Sequence, residues 1–274
     1  MLIAAALLAV ALDHPMLVSA DWMAQHLRDP LTVVVEVGSR SDYDSGHIPG
    51  ARFIAREEIV ADCDGLPNEV PNDEVVVTAF TRAGVGDARR LVVYSRDPLL
   101  AARTWFTLDL LGHGARASLL DGGWEQWTAA NYEVSTKPAP FHTEPFTVLP
   151  LPSSRVTFEE MRDLVVRRGR IGTKFVSIDA RPPLRFSEGH IPDAVSVPWT
   201  ANLATEHPPL LRDRDTLRQM YESRDIGRDA IVVTYCRTGM EASMTYFVLR
   251  YLGYDVALYD GSWVEWSGKK ASMR

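Results

Sequence analysis

Ser45-Gly46-His47-Ile48-Pro49-Gly50-Ala51 returns later in the chain as Glu188-Gly189-His190-Ile191-Pro192-Asp193-Ala194. A second block, Asp121-Gly122-Gly123-Trp124-Glu125-Gln126-Trp127, returns as Asp260-Gly261-Ser262-Trp263-Val264-Glu265-Trp266. Between them, Val92-Val93-Tyr94-Ser95 matches Val233-Thr234-Tyr235-Cys236, and Thr104-Trp105-Phe106 with Leu111-Gly112 matches Thr245-Tyr246-Phe247 with Leu252-Gly253. Matching blocks in one order mark a duplicated unit. The copies are expected at residues 17–135 and 154–274. A connector at 136–153 carries Pro138, Pro140, Pro145, Pro150 and Pro152, a density that favours extended chain.

Within each copy, short β-branched runs alternate with helical patterns. Leu31 to Val37, Leu91 to Tyr94, Lys174 to Asp179 and Ala230 to Tyr235 read as buried parallel strands. Ser19 and Thr157 are placed to cap helices, the second presenting Phe158, Met161, Leu164 and Val165 on one face. The pattern predicts an α/β fold: two similar domains, each a mainly parallel sheet with helices on both faces. Ligands of such sheets sit beyond the carboxyl ends of the strands. Cys236 follows such an end directly.

The chain has 274 residues, a net charge of −7 and only two cysteines, Cys63 and Cys236. The negative charge argues against a nucleic-acid partner, which needs a basic surface. Any anionic substrate must be drawn in by a local group of arginines. Two cysteines make no disulfide framework, and no Cys/His spacing suggests a metal; neither metal nor cofactor is expected. Residues 1–12 form an unbroken apolar run, too short to span a bilayer, which takes roughly 20 residues. Residues 1–16 therefore read as an apolar extension or a signal-like segment without a basic start, leaving a cytoplasmic and an exported location both open.

Burial alone would make a lone cysteine a packing residue. Placement argues otherwise for Cys236. The turn Cys236-Arg237-Thr238-Gly239 joins a strand to a helix expected from Met240 to Leu252. Gly239 permits a backbone closed to other residues, so that several N–H groups can point inward as an anion nest. A free thiol titrates at about 8.5, and a helix terminus contributes roughly 0.3–1 kcal/mol. Several N–H donors and a nearby guanidinium are thus expected to bring the thiol down by about two units. Cys63 lies between Asp62 and Asp64, which would raise its pKa, and reads as incidental.

The loop Cys236-Arg237-Thr238-Gly239-Met240-Glu241, the two Gly-His-Ile-Pro elements and Asp260-Gly261-Ser262-Trp263 resemble a tandem-domain rhodanese, or thiosulfate sulfurtransferase. The resemblance implies two rhodanese-like domains, the second catalytic and the first, with Ser95 at the matching place, not. It implies double displacement: the thiolate takes a donor's outer sulfur, and an acceptor such as cyanide or a thiol removes it. The partners implied are a small-molecule sulfur donor and acceptor, with a thiol protein as a possible acceptor and no stable membrane insertion. Cys236 matches the nucleophile; Arg237, Thr238, Gly239, Met240 and Glu241 match the loop that stabilises the persulfide. Arg185 matches the arginine that binds the donor's anionic end, and Arg237 and Thr238 are expected to bind the donor with it. Arg181 is either a second such group or one half of a structural ion pair. His47, His190, Asp121 and Asp260 recur in both copies and are expected to fix turns, and Trp124, Trp127, Trp263 and Trp266 to pack.

Three departures bear on the substrate. Thr238 stands where thiosulfate-using members often have Lys and mercaptopyruvate-using members have Ser in a Ser-His-Asp arrangement. The region expected to supply that His reads Leu66-Pro67-Asn68-Glu69. Glu241 puts a carboxylate where Thr or Arg is usual, which repels an anion unless it points away or pairs with Arg237 or Arg185. A phosphatase relative would need a Cys-x5-Arg loop, but the sixth residue after Cys236 is Ala242. The leading expectation is a thiosulfate donor; the alternatives are 3-mercaptopyruvate, or a persulfide relay without free small-molecule turnover.

Overall fold

The computed structural model describes residues 15–87, 89–140, 142–149, 152–167 and 174–272. The apolar run at residues 1–12 lies outside them. The described residues form two compact units.

The first unit starts with β1 (Leu17–Val18) and α1 (Ala20–His26), whose first turn is capped by the Ser19 hydroxyl accepting from Trp22 N at 3.1 Å. β2 (Thr32–Gly38), α2 (Arg40–Ser45) and β3 (Arg52–Ala55) follow. β4 (Ala61–Cys63) and β5 (Leu66–Glu69) then form an antiparallel hairpin. The unit closes with α3 (Asp73–Arg82), β6 (Arg90–Tyr94), α4 (Pro98–Leu110), β7 (Ala117–Leu120) and α5 (Gly123–Ala129). Leu31 was expected to open β2 but stays exposed: Asp29 accepts from its N–H at 2.9 Å and holds it in a turn.

The second unit repeats the order with β8 (Arg155–Val156), α6 (Phe158–Arg167), β9 (Phe175–Asp179), α7 (Pro183–Ser187), β10 (Val195–Ser196), α8 (Arg214–Glu222), β11 (Ile231–Tyr235), α9 (Met240–Leu252), β12 (Val256–Tyr259) and α10 (Ser262–Ser272). Thr157 caps α6 reciprocally: its hydroxyl accepts from Glu160 N, and Glu160 Oε2 accepts from Thr157 N at 2.8 Å. Phe158 and Met161 are buried, with Leu164 and Val165 packed beside them.

The sheets match strand for strand. The first runs β1-β7-β6-β2-β3 and the second β8-β12-β11-β9-β10, all parallel. The central pairs register evenly, Glu36 beside Tyr94 and Asp179 beside Tyr235. Val34, Val92, Tyr94 and Trp127 fill one core; Phe175, Val233, Tyr235 and Trp266 fill the other. Chain direction in sheet order reverses between β11 and β9, which opens a crevice at their carboxyl ends.

One segment crosses the repeat boundary in sequence. The hairpin at Ala61–Val70 belongs to the second compact unit, although it follows β3 in the chain. Val70 N donates to the buried Asp260 Oδ2 at 3.3 Å and fastens its base.

Candidate active site

Cys236 stands one residue past β11 and is almost fully buried. Its N–H donates to Ser262 Oγ at 3.2 Å, and its carbonyl accepts from Trp263 N at 3.0 Å. Gly239 adopts a left-handed conformation at φ 85°, as its place in the turn required, and starts α9. The loop then aims the N–H groups of Ala242, Thr238 and Glu241 at the sulfur.

The expected fall in the thiol's pKa does not occur. Burial, and after it the Glu241 carboxylate, push Cys236 up to about 11, against the pull of the three N–H groups. Desolvation of a thiolate inside a closed loop outweighs the nest. Cys63, in β4, is raised as well, first by burial and then by Glu69, Asp64, Asp260 and Asp62.

An open cavity of about 450 Å³ lies at this crevice, lined by Arg181, Pro182, Arg185, Glu188, Arg237, Glu241 and Trp263. The three arginines differ in what holds them. Arg181 is buried and bidentate on Asp179, with Nη2 to Oδ2 at 2.6 Å and Nε to Oδ1 at 2.9 Å. Its Nη2 also donates to Gly189 O at 2.7 Å, and its guanidinium lies 4.8 Å over the Trp263 ring. Arg185 is largely exposed and ion-paired to Glu188 at 2.9 Å. Arg237 is exposed and projects into the cavity from the loop itself. Burial, and less strongly Asp179, raise the Glu241 carboxyl, while Cys236 first and then Arg181 and Arg237 oppose that shift.

The first unit explains the division. There, Arg96 at the position of Arg237 donates to Gly46 O at 2.7 Å, stands 3.7 Å from Glu36 and covers Trp124 at 4.4 Å. Gly46, Glu36 and Trp124 are the counterparts of Gly189, Asp179 and Trp263. One guanidinium slot is thus filled from two different sequence positions. In the second unit Arg181 fills it, where the first has Gly38, and Arg237 is left to line the cavity.

The repeated Gly-His-Ile-Pro element proves architectural. Ile48 N donates to the Tyr94 hydroxyl at 3.0 Å and Ile191 N to the Tyr235 hydroxyl at 3.1 Å. His47 stacks on Tyr43 and His190 on Phe186, each with Nδ1 on the carbonyl four residues back. Trp127 and Trp266 are core residues, whereas Trp124 and Trp263 face guanidinium groups.

Two residues escaped the sequence reading. Asn68 Nδ2, on the hairpin, donates to Thr238 Oγ1 at 3.1 Å. The segment Leu66-Pro67-Asn68-Glu69 has no histidine, and nothing in its residues announces an amide reaching the loop. Ser262 holds a left-handed backbone at φ 54°, which costs a side-chain residue about 1–2 kcal/mol. Its hydroxyl offsets that by bonding both Cys236 N and Tyr259 O. The signal was present: the other copy has Gly123 there, at φ 53°.

The rhodanese-like domain model matches residues 19–130 and again 165–269. The chain is 29% identical to the 3-mercaptopyruvate sulfurtransferase of Escherichia coli (strain K12), over 92% of this chain and 95% of that one. It is 32% identical to the putative thiosulfate sulfurtransferase SseA of Mycobacterium tuberculosis, over 93% and 89% of the two chains. Among solved structures, that of SseA from Escherichia coli, described as a 3-mercaptopyruvate sulfotransferase with the rhodanese fold, superposes with a TM-score of 0.79. It is 28% identical, covering 91% of this chain and 99% of that one.

Proposed function

The chain belongs to the rhodanese-like family and is a sulfurtransferase, and from that premise we propose that Cys236 carries sulfur from a small anionic donor, thiosulfate in the first place, to a thiophilic acceptor. The observation that carries this reading is the nest of three N–H groups aimed at the Cys236 sulfur beside a cavity lined by three arginines. The donor's anionic end lies against Arg237 and Arg185, with Arg181 held back by Asp179. The Cys236 sulfur attacks the outer sulfur of the donor. The donor's S–S bond breaks, and sulfite leaves with the electron pair. The persulfide anion replaces the thiolate in the nest, where fixed N–H dipoles meet its charge. Cyanide or a thiolate then takes the outer sulfur, and the electron pair returns to Cys236. A thiol on a protein serves the same step as a small thiol.

3-Mercaptopyruvate is the second reading, and the names of the relatives favour it over thiosulfate. The chemistry around Thr238 favours thiosulfate: the hydroxyl meets the amide of Asn68, which neither gives nor takes a proton at ordinary pH. Sulfite departs as a stable anion, whereas the carbon fragment of mercaptopyruvate must be protonated. Side-by-side steady-state kinetics with the two donors tests the choice. The thiosulfate reading expects the higher kcat/KM with thiosulfate; a clear excess with mercaptopyruvate overturns it in favour of the second. Turnover with neither, together with persulfide exchange between proteins, would make the molecule a relay.

A further inference from the structure

Arg181 and Arg185 border the donor cavity from places where the first unit has quite different residues. Arg181 stands where that unit has Gly38, and Arg185 where it has Asp42. Both changes bear on Arg237. Arg96 and Arg237 each stand two residues past a tyrosine that ends its strand, yet they point to different places. Arg96 turns inward. Besides Gly46 O, its Nη2 reaches Asp42 O at 2.8 Å, and its Nε lies 4.0 Å from the Asp42 carboxylate. Its side chain is 31% exposed. Arg237 is exposed at the cavity.

The slot seats one guanidinium. Arg181 takes both carboxylate oxygens of Asp179, at 2.9 Å from Nε and 2.6 Å from Nη2, together with the Gly189 carbonyl at 2.7 Å and the Trp263 face at 4.8 Å. A planar cation seated in this way uses the whole fork. A second cation brought alongside meets like-charge repulsion in a buried place, where it is strong. Arg185 works in the same direction, because a cation stands where the Asp42 carboxylate attracts Arg96 in the first unit. We propose that Arg181 is a positioning residue for the donor: by holding the slot it keeps Arg237 turned out into the cavity as an anion-binding group.

This inference rests on the sulfurtransferase reading and gives a part in it to the one arginine of the three that is held by Asp179. The exchange of arginines is open in either unit. R181G recreates the first unit's arrangement, in which the strand-end arginine alone can fill the slot. Its hold is looser, since Arg96 stands 3.7 Å from Glu36 where Arg181 stands 2.6 Å from Asp179. In the first unit, a Cβ on Gly38 meets no heavy atom within 4 Å beyond its chain neighbours, so an arginine can start from that position.

Denaturant melts of R181G, R237A and the double variant test the exchange. In the parent, R237A should leave the unfolding midpoint where it is, because the side chain is exposed. In the R181G background Arg237 occupies the slot. R237A should there lower the folded-to-unfolded ratio by about tenfold or more, because it strips the buried Asp179 of its replacement partner. In donor kinetics R181G should raise KM about tenfold, as R237A does, with a smaller change in kcat, and the double variant should raise KM no further. R237A as silent in the R181G background as in the parent would overturn the proposal. So would KM effects that multiply in the double variant, which is what an Arg181 in direct contact with the donor gives. The first unit supplies an arm that does not depend on R181G folding. R96A should destabilise the parent, since Glu36 is buried, but should cost little in the G38R background, where the new arginine holds the slot. R96A equally costly in both backgrounds would overturn the exchange. The melts need no donor, so a wrong donor assignment shows only in the kinetics, which are run with 3-mercaptopyruvate if thiosulfate is not turned over.

Discussion

At the scale of single residues, two changes follow from how Cys236 is held. C236S abolishes sulfur transfer with every donor, whereas C63S, on β4 of the hairpin, leaves it within about twofold, because surface changes clear of the reacting atoms have small effects. Steady-state rates on the two variants check this. S262G gives a subtler result. It removes the hydroxyl that accepts from Cys236 N, and it relieves the left-handed strain that Gly123 avoids in the other copy. Stability should stay within about 1 kcal/mol of the parent while kcat/KM falls roughly fivefold, the value of one net hydrogen bond. Denaturant melts run beside the kinetics separate the two effects. Cys236 itself was legible in the sequence, because its copy is Ser95 and it follows a strand. Its pKa was not: the nest could be read from Gly239, but the depth of burial that pushes the thiol up depends on everything packed above the loop.

Elements set which of these groups meet. The hairpin of β4 and β5 brings Asn68 to Thr238, and no periodicity signals that a segment from the first half of the chain will pack into the second unit. Leu66-Pro67-Asn68-Glu69 carries no β-branched residue, so a strand there was invisible to pattern reading. The parallel strands were visible, because runs such as Val33-Val34-Val35 leave little alternative. N68A should lower kcat/KM roughly fivefold through one lost hydrogen bond, with unfolding unchanged to within about 1 kcal/mol. Donor kinetics on N68A and the parent decide it. A larger loss would mean that the amide touches the donor directly.

Over the whole molecule, duplication has been used to free one arginine. Both units build a carboxylate, a glycine carbonyl and a tryptophan face around a guanidinium; Arg96 fills the slot in one and Arg181 in the other. Removing Arg181 leaves Asp179 buried without its partner. R181M should therefore destabilise the protein by about 3–5 kcal/mol, read from denaturant melts, and should raise KM for the anionic donor as Arg237 turns into the empty slot. The first unit carries a group that responds to acid. His113 in the first unit donates from Nε2 to Thr147 O and accepts at Nδ1 from Arg116. Burial first, then Arg116, lower its pKa to about 4. The unfolded chain takes up that proton at about 6.5, so stability from this group is complete above that pH and drains away as pH falls towards 4. H113Q should show a shallower loss of stability over that window when melts are compared at several pH values.

The claim on which all of this depends is that Cys236 carries the transferred sulfur. Mass spectrometry of the protein after incubation with thiosulfate, or with 3-mercaptopyruvate, tests it most directly, with peptide mapping to place the change. The account predicts a gain of one sulfur atom on the peptide containing Cys236, and its loss on addition of cyanide. A protein that turns over donor with Cys236 unmodified, or that gains its sulfur at Cys63, would contradict it.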